Sequence, residues 1–405
     1  MKISNSNVIS LIFCAKVIVK FGIRIILRIF YVFPIKTNRI VFESWGSKRI
    51  GCSPLCLFDF LSKNTEGLDL VFCVKSGKTI GADNIRTVQY FSWNYFKYIL
   101  TSKVYITNIG LNIVFPFRKE QIIVNTWHAG GAYKKIEKDF YRFTGFQDWL
   151  YNKTLRQTSK STTYYLAAAE MTMKFLSSAW GLSQEKCIRS GLPRNDIFFH
   201  PKEMNDKSRY VRERLNIEDQ DFVILYAPTF RNTTANPTFD WRLKTESLFQ
   251  AVENRFTPCK ITLLIRMHST IHLRYSKLEQ KMQTHKHMVK DVSDYPEMQD
   301  LLCAADMLIT DYSSSVWDYS FTYRPCFLFT PDLEEYKKNT DFYIPIEEWG
   351  FPICKTNEEL RKQIEFFDEN KFKQAMIRHH ENLGSYEKGT ATKEVAKIIL
   401  SHIDH

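Results

Sequence analysis

The chain has 405 residues, 44% of them hydrophobic, 25% charged and 15% aromatic, and a formal net charge of +12. These proportions exclude a disordered protein, and the length exceeds what one domain usually holds. The positive charge calls for an anionic partner, but no finger spacing, aromatic RNP pattern or dense basic tail is present. A phosphorylated substrate or an anionic lipid surface therefore fits better than nucleic acid.

Residues 7–33, NVISLIFCAKVIVKFGIRIILRIFYVF, are strongly apolar yet carry Lys16, Lys20, Arg24 and Arg28. On a helix these cations drift slowly around one face, with Ile, Val, Leu and Phe opposite. That is the pattern of an interfacial amphipathic helix lying in a membrane surface. Spanning the bilayer would bury several charges at roughly 2.5–3.5 kcal/mol each. Charges inside the apolar run and the lack of a following cleavage site disfavour a signal peptide. A core helix packed on its own domain is the alternative.

Short apolar runs then alternate with longer mixed segments. Residues 39–43, 70–74, 104–107 and 122–126 read as buried strands, with room between them for crossover helices. Residues 164–168 and 187–190 extend the series, and the polar stretch 202–206 reads as a linker. A second series follows at 222–227, 261–266, 307–310 and 326–329. Two such series predict two doubly wound domains, with ligands gathered beyond the carboxyl ends of the strands. No internal repeat is visible. The nine cysteines, scattered from Cys14 to Cys354, argue for a reducing compartment and against disulfides or a zinc site.

The informative residues follow the runs. After 122–126 comes Trp127-His128-Ala129-Gly130-Gly131-Ala132. A strand-ending imidazole can accept a hydroxyl proton at neutral pH, and glycines let a substrate approach the backbone. Capping of the next helix explains that segment equally well. Gly191-Leu192-Pro193-Arg194-Asn195-Asp196 makes a rigid turn from which Arg194 could reach a phosphate, or a plain loop. Ala227-Pro228-Thr229-Phe230-Arg231 offers a hydroxyl and a planar cation suited to phosphate oxygens, or a turn with a solvated Arg.

Arg266-Met267-His268 puts two basic side chains at a strand exit, which favours an anion site over packing. Thr310-Asp311-Tyr312-Ser313-Ser314-Ser315 ends a strand in hydroxyls where a helix begins. Backbone N–H groups with Ser313 and Ser314 would form an anion cradle there. Simple N-capping explains one of those hydroxyls but not three. Asp318, about one turn on, is placed to accept a hydrogen bond from a ribose or polyol hydroxyl. Asp219-Gln220-Asp221 reads as a solvated turn, so no metal is assigned.

Together these segments resemble the CDP-glycerol glycerophosphotransferase family of teichoic-acid synthesis. Its strand-ending Trp-His-Gly, Pro-Arg-Asn-Asp turn, Ala-Pro-Thr-x-Arg segment, second strand-ending His and Ile-Thr-Asp-Tyr-Ser-Ser cluster occur here in order. Pro331-Asp332-Leu333-Glu334-Glu335-Tyr336 adds to a likeness spanning roughly 104–360. Ala129 stands where the family usually has Gly, and Ser269 where it often has Pro.

The resemblance implies a GT-B-like α/β fold, two Rossmann-like domains with parallel sheets facing a central cleft, plus an N-terminal amphipathic membrane-surface helix. Residues 1–35 would be that helix, 36–205 the acceptor domain and 206–405 the nucleotide-donor domain. His128 would be the catalytic base. Ala129, Gly130, Gly131, Ala132, Arg194, Pro228, Thr229, Arg231, Arg266, Met267, His268, Ser313, Ser314 and Asp318 would line the donor and its phosphates.

The implied reaction moves glycerol phosphate from CDP-glycerol, or the equivalent group of another CDP-polyol, and releases CMP. The acceptor would be a hydroxyl of a lipid-linked glycan or of a growing teichoic-acid or capsule-type polymer. No cofactor is expected beyond the donor substrate. Expected partners are the donor, a lipid-linked acceptor and an anionic membrane surface, at the cytoplasmic face of the bacterial cell membrane. A GT-B glycosyltransferase using a nucleotide-sugar would keep the fold but release a nucleoside diphosphate. A non-catalytic polyanion-binding protein would leave His128 and His268 freely replaceable.

Overall fold

The computed structural model describes residues 5–75, 85–131, 133–229, 242–267 and 287–403. Its packing resolves into two compact units. Unit 1 is Met1–His128, Lys135–Asp196 and Tyr386–His405, and unit 2 is Ala129–Lys134 and Ile197–Ser385.

In unit 1, β1 (Lys36–Glu43), β2 (Asp69–Val74), β3 (Thr87–Gln89), β4 (Ser102–Thr107), β5 (Ile122–Asn125), β6 (Tyr164–Leu166) and β7 (Cys187–Ile188) form one sheet. Its order is β3-β2-β1-β4-β5-β6-β7, and every neighbouring pair is parallel. In unit 2, β8 (Phe222–Tyr226), β9 (Ile261–Ile265), β10 (Met288–Asp291), β11 (Met307–Thr310), β12 (Cys326–Phe329) and β13 (Ile353–Cys354) form the other. Its order is β10-β9-β8-β11-β12-β13, again parallel throughout. Each chain path runs outward from its first strand and then resumes on the other side. Each sheet therefore has a switch point, between β1 and β4 and between β8 and β11, where open α/β sheets hold ligands.

Central strands of such sheets are covered on both faces and read as unbroken apolar runs. All five residues of β9 and all four of β12 are buried. The ten expected strands are present, with ends shifted by a few residues. The three unanticipated strands, β3, β10 and β13, lie at sheet edges and are only 3, 4 and 2 residues long.

Two expectations about organisation are corrected. Residues 202–206 are no linker but part of helix Pro201–Arg214, which starts on a proline and buries Val211 and Arg212. The run is polar because most of that helix faces water. The boundary at 205/206 also gives way, since the C-terminal segment returns to unit 1. There helix Ala391–Leu400 buries Ala391, Val395, Ala396 and Ile399 and packs on helix Cys52–Asn64.

Helix Asn5–Ile26 runs into a 3-10 turn at Leu27–Val32, and its apolar residues divide between two faces. Cys14, Val17, Leu27 and Phe30 are buried in unit 1, while Leu11, Ile12, Ile18, Val19, Ile25 and Ile26 are exposed. Lys16, Lys20 and Arg28 are exposed too. Arg24 instead donates to the carbonyls of Ile113, at 2.9 Å, and Phe115, pinning the helix to its unit. The helix thus packs internally and still presents an apolar face. Among the described residues no helix is long and apolar enough to cross a membrane.

Candidate active site

In unit 1 the chain leaves β5 through Asn125, whose side chain organises the exit. Asn125 Oδ1 accepts from the Trp127 N–H at 2.8 Å, and Nδ2 donates to the Ile109 carbonyl at 2.9 Å. These bonds hold Trp127 at a φ of +53°, a left-handed conformation that bulky residues rarely adopt. His128 follows, with Nδ1 2.8 Å from the backbone oxygen of Asn108 at the end of β4. A carbonyl oxygen can only accept, so Nδ1 carries the proton and Nε2 is the basic nitrogen of the neutral ring. Indole rings flank the imidazole, Trp127 at 4.1 Å and Trp45 at 4.9 Å between centroids.

Burial, opposed by the hydrogen bond to Asn108 and reinforced by the Arg194 cation, lowers the His128 pKa to about 4. The ring is therefore neutral at physiological pH, the form a base requires. Asn108 has a second task. Its Oδ1 accepts from the Trp45 N–H at 2.8 Å, tying the loop after β1 to the end of β4. Sequence reading missed both Asn108 and Trp45. A run of Glu43-Ser44-Trp45-Gly46 directly after a strand was the available signal.

Arg194 lies behind His128 in unit 1. It is only 6% exposed, and its Nη1 donates to the His128 carbonyl at 2.7 Å and approaches Cys52 Sγ at 3.4 Å. It thereby supports the backbone of His128. A Cβ on Gly130 would lie 2.0 Å from Cδ1 of the buried Trp317, and one on Gly131 2.2 Å from Cε2 of Tyr133. Close packing of aromatic rings within unit 2 requires glycine at both positions. Tyr133 in turn rests on Trp349 at 4.1 Å, with its hydroxyl 2.7 Å from His379 Nε2. Ala129 is half-buried, and Ala132 lies outside the described residues.

In unit 2 the expected residues gather at the carboxyl ends of the adjacent strands β9, β8 and β11. Both carboxylate oxygens of Asp311 accept from the Thr229 N–H, at 2.9 and 3.0 Å, and Oδ1 also accepts from the Tyr312 N–H at 2.6 Å. The Thr310 hydroxyl donates to the Ala227 carbonyl at 2.6 Å. The loops after β8 and β11, carrying Pro228, Thr229, Ser313 and Ser314, are thereby locked together at the switch point. Ser313 Oγ accepts from the N–H and the hydroxyl of Ser315, at 3.2 and 2.9 Å. Ser314 precedes helix Ser315–Ser320 without making a side-chain capping bond, so capping does not account for it. Both serines are half-buried.

Arg266 is half-buried and donates through Nη1 to the Tyr295 carbonyl at 2.9 Å. Two of the expected residues are buried. The Met267 side chain lies in the core, and its backbone N–H donates to Ser293 Oγ at 2.9 Å. Asp318 is 3% exposed, and its carboxylate accepts from Gln299 Nε2 at 3.0 Å. Arg231, His268 and Ser269 lie outside the described residues.

Residues 25–401 match the family model described as CDP-Glycerol:Poly(glycerophosphate) glycerophosphotransferase. The chain is 28% identical to the teichoic acid poly(glycerol phosphate) polymerase of Bacillus spizizenii, over 93% of this chain and 95% of that one. It is 27% identical to the teichoic acid glycerol-phosphate transferase of Staphylococcus aureus, over 90% and 93%. Among solved structures, the wall teichoic acid polymerase TagF matches with a TM-score of 0.82 at 22% identity, covering 98% of each chain. A variant of that polymerase soaked with CDPG matches at 0.80. At this identity the structural likeness is one of fold, and it agrees with the two parallel-sheet units described above.

The packing account of Gly130 has a direct test. Gly130→Ala forces Trp317 to shift, and overpacking of this kind costs about 1–3 kcal/mol. The expected result is a lower melting temperature with altered tryptophan emission. An unchanged melt would remove the explanation.

Proposed function

We propose the following catalytic scheme for this chain, which belongs to the CDP-glycerol:poly(glycerophosphate) glycerophosphotransferase family. The chain is a transferase that moves glycerol phosphate from CDP-glycerol to a growing teichoic-acid-type polymer, and CMP leaves. His128 is the base in this reading. The observation that carries the assignment is its bond to the Asn108 carbonyl, which leaves Nε2 unprotonated at the end of β5.

A hydroxyl oxygen of the acceptor attacks the β-phosphorus of the donor while Nε2 of His128 takes its proton. The new O–P bond forms as the bond from the β-phosphorus to the bridging oxygen breaks, and CMP departs with that oxygen and its electron pair. Arg266, Ser313 and Ser314, with the Pro228-Thr229 loop, hold the diphosphate and neutralise charge growing on the leaving phosphate. Such stabilisation is the main electrostatic need of phosphoryl transfer. By resemblance, Arg231 and His268 join the same set.

The acceptor in this reading is lipid-linked, and the chain docks peripherally on the cytoplasmic face of an anionic membrane. Support comes from the exposed apolar face of helix Asn5–Ile26, bordered by exposed Lys16 and Lys20. Helix Gly145–Ser161 packs beside it and exposes Phe146 and Trp149, with Lys153 Nζ 4.8 Å above the Trp149 ring. Apolar groups flanked by lysines suit a headgroup boundary, where each cation near an anionic surface contributes about 1 kcal/mol.

Two experiments test these assignments. His128→Ala should lower CMP release by about 10²–10⁴-fold, the usual worth of a general base, with CDP-glycerol binding nearly unchanged. In the unaltered enzyme, neutral His128 is the active form. The rate should therefore stay level as pH falls and decline only as pH approaches about 4. Near-native turnover by the variant would overturn the assignment. For docking, Ile18→Ser with Ile25→Ser should weaken sedimentation with phosphatidylglycerol vesicles while the melting temperature holds. Equal binding would remove that helix from the membrane contact.

A further inference from the structure

The turn 191–196 grips the base on one side, through Arg194. Its other side is held by the segment with which the chain returns to unit 1. Glu387, 9% exposed, accepts from the Leu192 N–H at 3.0 Å through Oε2 and from Asn195 Nδ2 at 2.8 Å through Oε1. Those two donors bracket Arg194 in the chain. Gly191 has a φ of +80°, and a Cβ there would lie 2.4 Å from Glu387 Oε2 and 3.0 Å from Glu387 Cα. Both the conformation and the approach of Glu387 thus demand glycine. Just beyond, the Asp196 carboxylate accepts from the N–H groups of Ala391 and Thr392 at 3.0 and 2.7 Å. The Thr392 hydroxyl donates to the Pro193 carbonyl at 3.3 Å.

We propose that Glu387 is a positioning residue for the catalytic base, acting through Asn195, Leu192 and Arg194 on the backbone of His128. The inference rests on His128 being that base. Arg194 holds the His128 carbonyl through an N–H at 2.7 Å, so its hold depends on the turn that carries it. A carboxylate clasping the residues on both sides of Arg194 removes the freedom of that turn to drift. Base catalysis is sensitive to such drift, since misplacement by about 1 Å can lower a rate roughly 100-fold.

The test is a double-mutant cycle on the full chain, with CMP release read against CDP-glycerol and a lipid-linked acceptor. Glu387→Gln keeps the side-chain shape but loses one acceptor and the charge. It should lower kcat roughly tenfold or more while KM for CDP-glycerol stays within about twofold. Arg194→Met should behave alike. The double variant should be no more than about twofold slower than Arg194→Met alone, because both changes break one chain of contacts. Asn195→Ala severs the same clasp from the turn and provides the cycle if Glu387→Gln does not fold.

Multiplying effects, a change confined to KM, or full activity in Glu387→Gln would each overturn the proposal. His128→Ala, run in parallel, separates the two levels. Inactivity there with full activity in Glu387→Gln retires the positioning role alone, whereas turnover there retires the base on which it depends.

Discussion

One backbone carbonyl determines what His128 can do. The oxygen of Asn108 takes the proton-bearing Nδ1 of the imidazole and thereby fixes which nitrogen is basic. That oxygen is in place because of the sheet. Strands β4 and β5 pair in parallel with Thr107 opposite Asn125, and the ladder continues past the strand end, where the Thr126 N–H donates to the Thr107 carbonyl at 2.7 Å. Strand register therefore places the oxygen that selects the His128 tautomer. The left-handed Trp127 between them is a local strain that the Asn125 side chain offsets with its hydrogen bonds.

The same device recurs in unit 2 with a different charge. Strand β4 runs out through Ile106-Thr107 into Asn108, and β11 through Ile309-Thr310 into Asp311. In each case the final side chain accepts an N–H from the loop after the first strand of its sheet, Trp45 in one and Thr229 in the other. The neutral Asn sits beside the His128 imidazole. The Asp directs its charge at the N–H groups of Thr229 and Tyr312. A three-residue correspondence is too short to register as a repeat, so only the paired topology reveals it.

What the sequence disclosed follows from the kind of force involved. Strands buried on both faces declare themselves as apolar runs, whereas the edge strands β3, β10 and β13 are short and carry no such signature. His128, Ser313 and Ser314 stood out as candidates because their reactive groups lie in the side chain and they follow strands. Asn108 acts mainly through its backbone oxygen, which no residue type encodes. The charges of Arg194 and Asp318 are visible in the sequence, but their burial and their bonds to the His128 carbonyl and Gln299 are not. Helix Ala391–Leu400 likewise shows an apolar stripe, but nothing in that stripe says that it covers helix Cys52–Asn64 in unit 1.

The claim beneath all of this is the protonation state of one ring. Nitrogen-15 NMR of histidine side chains, with His128 identified by the signal lost in a His128→Gln variant, reads it directly. The account predicts a proton on Nδ1, a bare Nε2 at about pH 7 and no imidazolium until the pH nears about 4. A proton on Nε2, or a charged ring at neutral pH, would contradict it.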